Sequence, residues 1–404
     1  MAPSTAPAGD AILAQVRVND LRMRAEPATG ADLITTLPFG STHRLLEGPV
    51  EADGLRWYRV QLAGQTGWIS SGEDGDWLAR VTNGRIAFAC LGCGDDAGRA
   101  IATSAADGSD RQVLHQRAGG SSWSPDGTRV IVEVPRDDDQ PELILLPADR
   151  SSATSLGLGY GVAWAPGGER FAFIRPDGTI VVSDGSDEGI GFQATDHGGT
   201  GSLAWSPDGA TIAFTAIDCP DCPLGEPIMG DPPISLFTFQ PPGGEVVKVT
   251  DGANSGIVGW SPNGGAILYV DLDLGSGVLA MYSIPASGGS AVQVADGEII
   301  GYGSDLSPDG TRLVAGAQEG IVVLAADGSE SPRVIVPGGL DVNPMPQSPR
   351  WSPDGEWILF DKVWTTGDAI ETWVVRADGT GERQLTDDGY YASWQPVLEP
   401  LNEP

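Results

Sequence analysis

Four cysteines, three histidines and several clusters of aspartate are the residues of this 404-residue chain whose types and spacing could do chemistry. The cysteines form two pairs, Cys90-Leu-Gly-Cys93 and Cys219-Pro-Asp-Cys222. Such spacing suits a zinc site, a local disulfide or free thiols. Neither pair is followed by histidine, so a c-type haem attachment is excluded. The carboxylates gather at Asp137, Asp138 and Asp139 and again at Asp271 and Asp273. Clustered carboxylates can hold Ca²⁺, which takes six to eight oxygens. None of these segments has the spacing of a known calcium loop, so solvated charge is the plainer account and calcium the one cofactor left open. His43, His115 and His197 are the whole supply of imidazole bases. No Gly-x-Ser-x-Gly elbow, His-Glu-x-x-His, phosphate-cradling loop or dinucleotide fingerprint occurs.

The elements that must position these groups are announced by a repeat. It reads Trp123-Ser-Pro-Asp-Gly127, Trp164-Ala-Pro-Gly-Gly168, Trp205-Ser-Pro-Asp-Gly209, Trp260-Ser-Pro-Asn-Gly264, Leu306-Ser-Pro-Asp-Gly310 and Trp351-Ser-Pro-Asp-Gly355, with a truncated Trp394-Gln395-Pro396. The spacings are 41, 41, 55, 46, 45 and 43 residues. Such periods mark a propeller or a solenoid. Proline presets φ and glycine accepts positive φ, so each copy is a tight turn. Each turn is followed by an apolar or alternating run such as Arg170-Phe-Ala-Phe-Ile174 or Thr211-Ile-Ala-Phe-Thr215. Second turns such as Ala326-Asp-Gly-Ser329 and closing runs such as Arg383-Gln-Leu-Thr386 complete a unit of four antiparallel strands, the content of a propeller blade. Glycine (57) and proline (31) punctuate the chain evenly, which argues against long helices.

The ends of the repeat region complement each other. Gly84–Ala89 reads as a second strand without its first, and Tyr391–Trp394 as a first strand without its second. Joined, they would remove the exposed sheet edges and give seven blades over 84–398. Alternating strand direction then puts the loops between second and third strands on one face, together with those between blades. The inter-blade loops lie nearer the axis and carry Tyr160, His197, Asn254, Tyr302, Asp341, Asn343, Tyr390 and Tyr391. Aromatic and polar groups at a concave mouth are what a ligand site requires. The repeated tryptophans occupy one structural position, where Leu306 can substitute, and read as packing. The two cysteine pairs fall in the first and fourth blades, nearly opposite on the ring, which favours two local disulfides over one shared metal.

The Trp-Ser-Pro-Asp-Gly turn followed by Ile-Ala-Phe resembles the TolB-type β-propeller repeat, a relative of the WD-type repeats. That resemblance implies periplasmic or cell-surface binding proteins and the non-catalytic domains of some peptidases. The front segment is of another kind. Leu21-Arg-Met-Arg24, Ala25-Glu26-Pro27, Leu37-Pro38-Phe39-Gly40, Trp57-Tyr58-Arg59-Val60 and Thr66-Gly67-Trp68-Ile69-Ser70 resemble a bacterial SH3-like barrel. Related barrels bind cell-wall peptides or act as spacers.

Charge sets the outer bounds. Lys plus Arg number 23 against 55 Asp plus Glu, a net charge of −32, and only Lys248 and Lys362 are lysines. A surface so acidic repels phosphate backbones, which excludes nucleic acid as a natural partner. No run is long and apolar enough to span a bilayer, and residues 1–12 read as a small-residue linker. The expected architecture is therefore all-β: a small SH3-like barrel over 13–81 and a seven-bladed propeller over 84–398, closed by a C-terminal strand at 391–396. The expected function is non-catalytic binding or scaffolding outside the cytoplasm, with a protein, peptide or glycan engaged by the propeller face. Cell-wall material is the expected partner of the SH3-like domain. A metal-assisted lyase or hydrolase at the central mouth and a structural subunit of a surface assembly are the alternatives.

Overall fold

A computed structural model describes residues 12–401 apart from 96–97, 137–139, 187–188, 193–198, 219–233, 252–255, 274–277, 296–302, 339–341 and 365–369. The front of the chain builds six short strands, β1 (Leu13–Val16), β2 (Leu21–Arg24), β3 (Leu33–Leu37), β4 (Thr42–Ala52), β5 (Leu55–Leu62) and β6 (Gln65–Ser70). They pair in the order β3-β2-β6-β5-β4-β1. Alternate residues point inward, as the pleat requires, and bury Ala14, Val16, Leu21, Met23, Leu37, Tyr58, Val60 and Ile69 in one core.

β7 (Leu78–Leu91) then runs unbroken across the expected domain boundary. Its first residues pair with β1, at Val16↔Leu78. Its later residues pair with β8 (Arg99–Ser104), which pairs with β9 (Gln112–Gln116). The C-terminal strand, Gly389–Pro400, lies along the other side of β7 from Gly389↔Cys90 to Pro400↔Ala79.

Between these ends stand six separate four-stranded antiparallel sheets, over residues 120–158, 160–192, 199–251, 256–295, 304–337 and 345–386, called here the first to sixth blades. The expectation of seven discrete blades is corrected. Six sheets are independent, whereas the C-terminal strand, β7, β8 and β9 belong to a ten-stranded sheet that continues into the SH3-like barrel. The physical reason is the length of β7. Fourteen residues are more than a blade strand needs, so its front end remains free to pair with β1.

Each Ser-Pro-Asp-Gly turn is a small hydrogen-bonded unit. The Ser124 hydroxyl donates to Asp126 at 2.6 Å, accepts from the Arg129 amide at 3.0 Å, and the Gly127 amide returns to the Ser124 carbonyl at 2.8 Å. Gly127 has a φ of +68°, and a Cβ there would stand 1.7 Å from the Pro396 carbonyl oxygen, so glycine is required twice over.

The tryptophans fasten neighbouring blades. The indole N–H groups of Trp164, Trp205 and Trp260 donate to the carbonyls of Ser122, Ala163 and Ala204 in the preceding blade, at 3.2, 3.1 and 3.1 Å. Arginines tighten the same seams. Arg129, Arg170 and Arg312 stack on Trp164, Trp205 and Trp351 of the next blade, at 5.1, 5.1 and 4.4 Å. Each also donates to the carbonyl of the next turn's glycine, Gly168, Gly209 or Gly355. Where the chain ends meet, the Gln395 amide makes the corresponding bond to Gly127 at 2.8 Å. Arg312→Ala is expected to lower stability by about 1–3 kcal/mol, one partly desolvated cation–π contact plus one charged hydrogen bond. Urea unfolding checks this, with Arg312→Lys recovering only part because the planar fork is lost.

Candidate functional site

The propeller offers two faces, and the barrel occupies one of them. Phe39 and Gly40 press against Pro166 and Gly167 of the second blade: a Cβ on Gly40 would lie 2.4 Å from the Pro166 carbonyl carbon. Arg44 pairs with the turn aspartate Asp309 of the fifth blade at 3.3 Å. Asn83 donates to Asp354 of the sixth at 2.7 Å. Leu401, beyond the C-terminal strand, enters the barrel's own core. The Pro-Asp-Gly turns thus form the seat of the SH3-like domain.

His43 lies in that junction, 4 % exposed, its Nε2 2.9 Å from the Ser41 hydroxyl. Because that hydroxyl donates to the Pro38 carbonyl at 2.7 Å, the imidazole is the donor to Ser41. Burial drives His43 from its ordinary 6.5 down to about 4, against the opposing pull of Asp309. The unfolded chain therefore takes up this proton first as pH falls. The stability that neutral His43 contributes is complete above pH 6.5 and is lost between 6.5 and about 4. That loss amounts to on the order of 3 kcal/mol. His43→Gln, which keeps a donor for Ser41, is expected to shrink the difference in urea midpoint between neutral and acidic pH.

The opposite face carries the mouth. From the second blade to the sixth the first strands neighbour one another in turn, and the C-terminal strand lies between those of the sixth and the first. Beside that junction opens a cavity of about 390 Å³ lined by Gly120, Ser121, Ser122, Glu133, Gly161, Ser348, Arg350, Tyr391 and Ser393 among others. Ser121 and Ser393 hydrogen-bond across the ring closure at 3.0 Å. Glu133 is half-buried, and desolvation raises its carboxyl above the ordinary carboxylate value. A Cβ on Gly120 would come within 3.2 Å of its carboxylate oxygen, so the glycine makes room for the acid. Arg350 donates to the carbonyls of Pro349 at 2.9 Å and Ser304 at 3.3 Å, which holds its guanidinium beside the cavity. Tyr391 is 60 % exposed with a left-handed φ of +51°, and its amide donates to Asp361 at 3.1 Å. An anionic group, a cationic group, four serine hydroxyls and an exposed aromatic ring therefore meet at one opening, an arrangement suited to gripping a polar chain.

A buried carboxyl and a partly buried one stand behind this rim. Asp361 is 2 % exposed, and burial pushes it up to about 7 against the Tyr391 amide, the Thr372 hydroxyl and the charge of Arg350. Asp305 accepts the Trp351 amide at 2.8 Å and is likewise raised by desolvation, with Arg350 opposing.

Of the residues expected at the mouth, Tyr391 lines the cavity. Tyr390 is buried among Ala87, Ala89 and Trp123 and stacks edge-on against Tyr391 at 5.0 Å. Tyr160 is half-buried at the start of its strand and packs on the core of the second and third blades. Asn343 is exposed on the approach to the sixth blade. His197, Asn254, Tyr302 and Asp341 lie outside the described residues, as do Asp137, Asp138, Asp139, Cys219 and Cys222. Asp271 and Asp273 sit on the second strand of the fourth blade. Among the described residues no group of three or more His, Cys, Asp or Glu side chains is placed to hold a metal ion. The Cα atoms of Cys90 and Cys93 are 5.9 Å apart with the sulfurs in contact, a separation a disulfide accepts. Glu133 and Arg350 carry no motif that marks them in the sequence; the alternation of Arg129-Val-Ile-Val-Glu133 is the one signal, since it ends on a charge at the mouth.

Comparison with known proteins supports both parts of this architecture. Residues 19–73 match the bacterial SH3 domain family. No curated protein sequence matches the chain. Among solved structures it is similar to hydrazine synthase from Kuenenia stuttgartiensis, at 18 % identity and a TM-score of 0.52 over 69 % of this chain and 90 % of that one. It is similar to the acylaminoacyl peptidase of Pyrococcus horikoshii, at 13 % identity and a TM-score of 0.50 over 85 % of this chain and 52 % of that one. It is also similar to TolB from Acinetobacter baumannii, at 15 % identity and a TM-score of 0.48 over 85 % and 80 %. At such identities the likeness is one of fold. The chain carries a bacterial SH3 domain at its front, followed by an all-β propeller.

Proposed function

We propose that this is a non-catalytic binding module that works outside the cytoplasm and presents the open mouth of its propeller to a protein or peptide. The observation that carries the reading is the division of the two faces. The SH3 domain sits on the turn face, and the opposite face offers a polar opening with Glu133, Arg350 and Tyr391. Binding modules of this kind need a fixed concave surface, and the rim is held by inner strands of several blades. The SH3 domain would then tether the molecule, with cell-wall peptides as its expected ligand class.

The location rests on chemistry as well. Among the described residues no helix is long and apolar enough to cross a membrane. We read Cys90 and Cys93 as a disulfide, which persists in oxidising compartments, and extend that reading to Cys219 and Cys222.

The test is a capture from the envelope extract of the source organism by immobilised protein. A protein retained by the wild type but lost with Arg350→Ala, with circular dichroism confirming that the variant folds, supports the reading. An identical set of retained proteins on the wild type and on Arg350→Ala contradicts it.

A further inference from the structure

A second opening lies far from the mouth, where the SH3 domain overhangs the outer edge of the third blade. This cleft, of about 770 Å³, is walled on one side by Asp20, Thr35, Thr36 and Pro38 and on the other by Asp208, Glu245 and Val247. Its walls include two terminal strands. β3 ends the order of its sheet and, among the described residues, pairs only with β2. Val247–Asp251 is the outermost strand of the third blade.

A terminal strand presents unpaired amides and carbonyls, and natural proteins guard such edges with charge, proline or a bulge. β3 reads Leu33-Ile-Thr-Thr-Leu37 and carries neither charge nor proline; its bulge, at Ile34, lies near its start and leaves Thr35, Thr36 and Leu37 in regular register with β2. Its β-branched residues favour an extended partner, and Leu33 stands 55 % exposed at its start. Val247 faces the cleft from the other wall at 45 % exposure.

The charges of the cleft are of one sign, on both walls. Asp20, Asp208 and Glu245 line it, and among the described residues no lysine or arginine does. The one imidazole there, His43, is held neutral by burial. An acidic or phosphorylated partner would be repelled, and the chain's net charge of −32 adds to that repulsion.

We propose that the cleft takes an extended basic peptide as an added strand on β3. Main-chain bonds to β3 would supply affinity, as in other cases of strand addition. Alternate side chains would reach Val247 and the carboxylates, which sets a preference for alternating apolar and basic residues. This site is separate from the mouth and does not depend on it.

The experiment uses the full chain and a labelled synthetic decapeptide of alternating lysine and valine, followed by fluorescence anisotropy. Its comparison peptide has the same sequence with alternate backbone nitrogens methylated, which keeps charge and apolar content but removes ladder donors. The triple variant Asp20→Asn, Asp208→Asn, Glu245→Gln is set beside the charge-matched Glu330→Gln, Asp387→Asn, Glu399→Gln, with circular dichroism confirming that both fold. The expected result is binding of the plain peptide, a loss of about ten-fold or more on methylation, and a similar loss with the cleft variant only. Equal binding of the two peptides, equal loss with both triple variants, or no binding of the plain peptide would each overturn the proposal. Mouth variants such as Arg350→Ala are expected to leave this binding unchanged, which separates its failure from failure of the mouth.

Discussion

A chain that stops at Asp388 is expected to lose cooperative folding in both domains. The C-terminal strand Gly389–Pro400 is the neighbour of β7 along nearly its full length. It brings Ala392 and Trp394 into a core shared with Ile86, Phe88 and Leu359 of the sixth blade. It brings Tyr390 into a second core with Val130 and Val132 of the first blade, and the chain then delivers Leu401 to the SH3 core. Removing one large buried side chain costs about 3–5 kcal/mol for tryptophan and about 2–5 kcal/mol for leucine. Domains are stable by only about 5–15 kcal/mol in total, so losing the whole strand exceeds what either can absorb. Truncation is expected to give a broad, early thermal transition by circular dichroism. Trp394→Ala and Leu401→Ala are expected to separate the effects, the first weakening the propeller and the second the barrel. A truncated chain with the full-length melting temperature would contradict this account of closure.

The second large effect concerns the buried carboxyl behind the mouth. Asp361 is raised from 3.8 to about 7, chiefly by burial. Below pH 3.8 both folded and unfolded chains carry the proton and there is no penalty. Between 3.8 and about 7 the unfolded chain has released it and the folded one has not, so stability falls as pH rises. Above about 7 the penalty is complete. The displacement corresponds to on the order of 4 kcal/mol. Asp361→Asn is expected to remove this slope, gaining stability over the wild type above pH 7 and little at pH 4. The amide oxygen can still accept from Tyr391 or Thr372, which hold the carboxylate at 3.1 and 3.3 Å. Urea unfolding across that range checks it. A variant equally destabilised at both ends would mean that the carboxylate is ionised in the folded protein.

The architecture was legible in the sequence where its signals are local. A Ser-Pro-Asp-Gly turn closes through bonds among residues five apart, so each copy announces itself, and the tryptophan preceding it takes the same seam in blade after blade. What escaped depends on distant segments meeting. The pairing of β1 with β7 merges the closing strands into the barrel's sheet, and nothing in residues 78–91 alone signals that their two ends serve different domains. The seat of the SH3 domain was equally hidden. Asp309 looks like any other turn aspartate until Arg44 is found beside it.

The candidate site was legible only in outline. Topology placed a mouth on the face away from the turns, and Tyr391 does line the cavity there. Tyr390, one residue earlier, points into the core, because successive side chains of a strand face opposite ways. Glu133 and Arg350 come from the second strand of the first blade and the first strand of the sixth, so only closure of the ring makes them neighbours.

The measurement that bears most directly on the binding face is hydrogen exchange on the protein with and without the captured envelope partner. The account predicts slowed exchange at 120–122, 348–350 and 391–393, where inner strands meet the cavity, with the turn face unchanged beneath the SH3 domain. Protection confined to the barrel or to the outer strands of the blades would contradict it.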